Sequence, residues 1–305
     1  RSRDLPALPA LALPLPEGNT IAFSGGVLAE TLRAAVATLD PEGLDPALCR
    51  MVVVGHSQGG LLTRLLVVDS GDRFWRNVSR RPLEELGLAP ESEALLRRSL
   101  FFPPQPFVGR VVLMETPHGV SYLSDFRVAS WISRLVKAPA TLTKLLFDVV
   151  TVGGDELYLR NLDRPPTSFD NMASHNPFLR TLRELPIAPG VPAHSIIAVR
   201  GGPPPEGRSD GVVRFESAHI EGVESELLVD SGHSVQMQQR AIQELRRILL
   251  EHAGVASGAE ERRRPAQAPP ASRKRRRRAE AGGGAPAPGR ASGGSGSRPA
   301  STSSK

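Results

Sequence analysis

Two hydrophobic rhythms share this chain: short unbroken apolar runs, and longer stretches in which apolar side chains recur at helical spacing. Met51 to Val54, Val108 to Met114, Ser195 to Val199 and Glu226 to Val229 read as short core strands. Between them, Val27, Leu28, Thr31, Leu32, Ala35, Val36 and Leu39 trace one face of a helix that Asp40-Pro41 ends. Leu61, Leu62, Leu65 and Leu66 predict a second helix over 58–69. Pro90 opens a short third one, with Glu91 and Glu93 in the first turn where acids complement the positive helix end. Residues 120–185 read as largely helical, with Trp131, Ile132, Leu135 and Val136 on one face and a helix begun by Pro177 and capped by Asn176. The last helix is expected over 236–252, with Ala241, Ile242, Leu245, Ile248 and Leu249 facing inward. Strands separated by helical segments predict an α/β fold, a mostly parallel sheet flanked by helices. In such sheets ligands bind beyond the carboxyl ends of the strands, so the loops after the four runs are where chemistry is expected.

Composition sets the boundaries. The 305 residues are 40% hydrophobic, enough for one large domain with a substantial core. Four prolines among Leu and Ala in residues 5–16 forbid a continuous helix and break the apolar run of a signal peptide, so residues 1–17 are expected to be an extended leader. From Val255 onward twelve Lys and Arg face three Glu, a net +9, which leaves the preceding body at −3 although the whole chain carries +6. The basic character thus belongs to a Pro-, Gly- and Ser-rich tail, 255–305, that cannot bury enough surface to order itself. Its Arg273–Arg278 cluster is a candidate contact for anionic surfaces, while the body, 18–254, has no signature of a dedicated nucleic-acid partner. No apolar run is long enough to span a membrane. Cys49, the one cysteine, excludes an intramolecular disulfide, fits a reducing compartment, and reads as a partly buried core residue. A cytoplasmic location is the default expectation, with an exported or peripheral-membrane form if an N-terminal segment is missing.

The strand-end loops carry a consistent chemistry. Gly55-His56-Ser57-Gln58-Gly59-Gly60 stands where the first strand run meets a helical pattern, the form of a G-x-S-x-G elbow, in which Gly55 and Gly59 let strand and helix approach. A serine hydroxyl is a poor nucleophile at neutral pH and needs a base to take its proton and an acid to orient that base. Asp210 follows the third strand run and His233 the fourth, giving the order Ser57, Asp210, His233. His194 and His219 are competing histidines with a structural reading, His118 and His175 are candidate pocket residues, and Asp230 is a rival acid better read as a strand-end turn residue. No metal or cofactor is expected.

Gly-His-Ser-Gln-Gly-Gly, the Glu115-Thr116-Pro117-His118-Gly119 loop, Pro166–Met172, Ser209-Asp210-Gly211-Val212-Val213 with Glu216-Ser217-Ala218-His219, and Gly232-His233-Ser234-Val235 together resemble bacterial serine lipases and esterases of the α/β-hydrolase family, over residues 18–252. The resemblance implies ester hydrolysis through an acyl-serine on a small-molecule or lipid ester, with Gln58 N–H in the oxyanion hole and His56, Pro117 and His118 beside the substrate. It also implies that residues 120–190 are a helical cap over an acyl pocket. Transfer to an alcohol instead of water has the same signature. Two departures stand out. The family's second loop reads Ala-Thr-Pro-His-Arg-Gly-Ser, whereas this chain has Glu115 first and Gly119-Val120-Ser121 last. The upstream strands and the His-Gly loop that supplies a second oxyanion amide have no counterpart, which marks the fold as N-terminally incomplete and leaves the elbow strand as an apolar edge. Ser24-Gly25-Gly26 is the available substitute donor. The competing expectation is a catalytically impaired fragment that binds acyl ligands or anionic surfaces.

Overall fold

Valine-rich segments with apolar side chains on both faces are stable only when both faces are covered, and here they form the central layer of a sandwich. The computed structural model describes residues 10–13, 20–119, 177–201 and 203–254, all of which fall in the unit Arg1–Glu261. Strands β1 (Met51–His56), β2 (Val108–Met114), β3 (Ala193–Ala198) and β4 (Ser225–Val229) pair in parallel in the order β1-β2-β3-β4. All four carboxyl ends therefore open on one edge of the sheet, where the loops carrying Ser57, Glu115, Asp210 and His233 converge.

The helices are α1 (Ile21–Leu39), α2 (Pro46–Cys49), α3 (Gln58–Leu65), α4 (Pro90–Leu100), α5 (Pro177–Glu184), α6 (Phe215–Ala218) and α7 (Gln239–His252). The two-residue period of β2 divides the core. Val111 points to one face, where it joins Leu28, Leu32, Leu61, Leu65 and Leu182 from α1, α3 and α5. Val112 and Met114 point to the other, where Ala241 and Ile248 of α7 cover them. The expected parallel α/β architecture is thus the observed one.

Several local expectations change. Helix α1 begins six residues earlier than its stripe predicts, because Thr20 caps it by accepting from Phe23 N–H at 3.2 Å. Its buried face is Ile21, Ser24, Gly25, Leu28, Ala29 and Leu32, and Leu39 is 68% exposed because the helix runs past the elements it packs on. In α7 the inward stripe is Ala241, Leu245 and Ile248; Ile242, expected inside, is 52% exposed. Cys49 is exposed at the end of α2 rather than partly buried. Residues 177–190, the end of the expected insertion, pack into the body: Leu179, Leu182 and Leu185 are at most 2% exposed beside the elbow helix. Residues 120–176, including the Trp131 stripe, His175 and Asn176, lie outside the described residues, as does the basic tail. Of the leader only 10–13 is described; Leu11 is exposed and Leu13 packs on the core. The aromatic residues Trp75 and Phe102 belong to the core: Trp75 donates from Nε1 to the Arg81 carbonyl, and Phe102 meets Phe74 edge-on. No helix among the described residues is long and apolar enough to cross a membrane.

Candidate active site

The site begins with a backbone constraint. At the end of β1 the chain must reverse into α3 within one residue, and Ser57 absorbs the turn at φ 55°, ψ −125°, a left-handed conformation costly for a residue with a Cβ. The Ser57 amide is held by the Met114 carbonyl at 2.8 Å, and the Ser57 carbonyl accepts from Gly60. A Cβ at Gly55 would strike the Gly59 carbonyl and the Thr63 side chain, as the small-residue demand of the elbow predicts. Gly59 differs from expectation, because nothing lies within 4 Å of where its Cβ would be. The second crowded position is Gly60, where a Cβ would collide with the Thr116 side chain from the β2 loop.

Around that turn the three strand-end residues meet. Ser57 Oγ lies 3.0 Å from His233 Nε2, and His233 Nδ1 lies 2.5 Å from Asp210 Oδ2. Asp210 is fully buried, and its Oδ1 accepts from the amides of Val212 and Val213, each at 2.6 Å. Burial pushes its carboxyl up, but hydrogen bonds from His233, Glu115 and the Val213 amide outweigh that and hold it below its ordinary value. Asp210 is therefore a charged acceptor that fixes the imidazole with Nδ1–H toward it and Nε2 toward Ser57.

The sequence singled out His56 as a pocket residue; here its Nε2 donates to the His233 carbonyl at 2.8 Å and its ring lies 5.0 Å from the His233 ring. Burial lowers its pKa, which keeps it neutral and fit for that hydrogen bond. Pro117 and His118 are buried in the loop after β2. His118 is 3% exposed, and its Nδ1 meets the Arg64 guanidinium at 3.3 Å, while Arg64 Nη2 donates to the carbonyls of Arg183 and Leu185. Burial, then the charges of Arg64 and Arg183, drive the His118 pKa well down. His118 thus braces the β2 loop against α3 and α5, a role different from the pocket contact expected of it. Gln58 opens α3, and the first amides of a helix have no acceptor within it. Ser24-Gly25-Gly26 lies inside α1, where a Cβ on Gly25 would meet Leu65 and one on Gly26 the Arg98 carbonyl. These glycines allow helices to cross closely, which removes them as oxyanion donors.

The rival residues have structural partners. Asp230 Oδ1 accepts from the Gly201 amide at 2.9 Å, His194 is buried against Arg110 and Ser225, and His219 pairs with Glu226 at 2.8 Å. Two contributors escaped the sequence reading. Ser217, fully buried, accepts from and donates to the Gly119 backbone, stitching the acid-bearing loop to the β2 loop. Glu115 is 1% exposed, has φ 48°, and places a carboxyl oxygen within 4.8 Å of the ligand atoms of both Asp210 and His233. Burial first, then a hydrogen bond to Asp210 and that neighbour's charge, push Glu115 up to about 11. Its standing where the resembled lipases and esterases carry Ala was the available signal. This carboxyl–carboxyl–imidazole group has the donor types of a cation site, yet Asp210 is already engaged by His233 and two amides.

No protein-family model matches the chain, and no curated protein matches it. Solved structures similar to it include a thermophilic esterase (18% identity over 79% of this chain and 76% of that one, TM-score 0.37). Others are a lipase-esterase related protein from Clostridium acetobutylicum (11%, 75% and 74%, TM-score 0.36) and the lipase BlEst2 from Bacillus licheniformis (13%, 75% and 75%, TM-score 0.35). These TM-scores are too low to bear on the site.

Proposed function

We propose that the protein is a serine hydrolase of α/β-hydrolase type that cleaves carboxylic esters through an acyl-enzyme. The observation that carries this reading is the unbroken hydrogen-bond chain Ser57–His233–Asp210 beginning at a strained serine between β1 and α3. In this mechanism His233 Nε2 takes the Ser57 proton as Oγ bonds to the ester carbonyl carbon. Asp210 stabilises the imidazolium that forms, and the tetrahedral oxyanion accepts from the Gln58 amide at the α3 N-terminus. The carbon–alkoxide bond then breaks, with the His233 proton passing to the departing alcohol and the acyl group remaining on Ser57. Water deprotonated by His233 attacks that acyl group, releasing the acid and returning the proton to Ser57.

The test is labelling of the full chain with a fluorophosphonate, together with turnover of a short-chain p-nitrophenyl ester. Ser57→Ala is expected to abolish both. An absence of Ser57-dependent labelling in folded protein removes the reading and leaves the binding-only alternative.

A further inference from the structure

The Ser57–His233–Asp210 chain ends, in the proposed mechanism, at Asp210, but the geometry continues past it. Glu115 follows the last residue of β2, and its amide donates to the Ile196 carbonyl of β3. Its positive φ accompanies a side chain whose Oε1 accepts from the Ala198 amide, while no N–H or O–H donates to the buried Oε2. A non-glycine residue at φ 48° and a carboxyl 1% exposed are two costs at one position. Two ionised carboxylates cannot share so dry a space at this separation, so one of them keeps a proton. Asp210 is the charged one, since three donors already point at it from His233, Val212 and Val213. The other titratable or charged groups nearby are His56, hydrogen-bonded to the His233 backbone, and the Arg200 guanidinium beside Gly211 and Gly232.

We infer that Glu115 is a positioning residue that stays protonated and donates from Oε2 to Asp210, extending the chain to Ser57–His233–Asp210–Glu115. This rests on the reading of His233 as the general base. The added donor helps fix the Asp210 rotamer, beside the His233 hydrogen bond. It also withdraws negative charge from Asp210, so that the carboxylate orients the imidazole without making its protonated form too stable to return the proton.

Two substitutions separate this role from packing. Glu115→Met keeps most of the volume and removes the donor. Glu115→Gln keeps an acceptor for the Ala198 amide and an N–H for Asp210. Without the donor Asp210 becomes more basic and favours the imidazolium, so in Glu115→Met the acid limb of kcat/KM moves to higher pH by about half a unit or more. Activity at neutral pH falls about tenfold. Glu115→Gln is expected to rescue most of that loss and return the limb toward its original position. A Gln variant as damaged as the Met variant overturns the inference, as does a Met variant whose limb stays in place. Histidine-labelled NMR titration of His233 in a Ser57→Ala background gives the same comparison without turnover. It decides the role of Glu115 even if ester hydrolysis fails. Infrared spectroscopy of the unsubstituted chain at neutral pH should show a protonated-carboxyl C=O stretch that Glu115→Gln removes; no such band would also overturn the inference.

Discussion

Ser57 and Glu115 are the two described non-glycine residues held at positive φ, and both stand at carboxyl ends of neighbouring strands in the site. Strain of this kind costs about 1–3 kcal/mol per residue and persists only where the surroundings impose it. For Glu115 a thermodynamic consequence follows from its shifted titration. Its carboxyl rises from the ordinary 4.5 to about 11, so between those values the folded chain binds one more proton than the unfolded chain. The stabilisation from that proton is fully present below the unfolded value and is lost as pH rises toward the folded one, by up to about 1.4 kcal/mol per pH unit. Urea midpoints measured from about pH 6 to about pH 9 should therefore decline for the natural chain and stay flatter for Glu115→Gln. Parallel curves would mean that Glu115 ionises near its ordinary value.

At the scale of elements, the turn between β1 and α3 depends on which glycine is crowded. The five-residue motif draws the eye to Gly59, but α3 leaves its Cβ direction open and turns Gly60 toward Thr116. Gly59→Ala should leave stability unchanged or raise it by up to about 1 kcal/mol, through the unfolded chain and helix propensity. Gly60→Ala should cost about 1–3 kcal/mol by forcing Thr116 and the β2 loop away. Urea unfolding of the two variants checks the contrast, and equal effects would contradict the packing described. The same loop is also held by Ser217 of α6 and, from α3 again, by the Arg64–His118 contact. Helices α3 and α6 therefore both hold the segment that carries Glu115, which accounts for its fixed backbone.

At the scale of the molecule, the strand that leads into Ser57 stands at one end of the sheet formed by the described residues. Among the described residues β1 pairs only with β2, and Val54 is 42% exposed while Val52 and Val53 are partly covered. An apolar strand at the end of a sheet invites pairing with another copy. Self-association by light scattering should fall for Val54→Lys relative to the natural chain, with Ser57 labelling retained. An unchanged association state would show that β1 is not the contact.

The sequence by itself determined the parallel α/β architecture, the four strands to within two residues at either end, and that Ser57, Asp210 and His233 would lie together, because strand-end loops of such a sheet converge whatever lies between them. Motif spacing is local, and Ser57 declares itself from its glycine neighbours and the apolar run before it. Tertiary structure decided everything that depends on which side chain approaches across the sheet. The helical stripe of α7 could not say that Ile242 would face water, since that follows from how the helix is seated against the sheet. Nor could the chain order say that His56 would hold the His233 carbonyl, that His118 would turn to Arg64, or that Gly25 and Gly26 would serve helix crossing. Glu115 is the clearest case. As a letter it was a departure after a strand, and only the fold brought its carboxyl beside Asp210, 95 positions away in the chain. Burial and proximity, which set its protonation, are properties of three-dimensional packing.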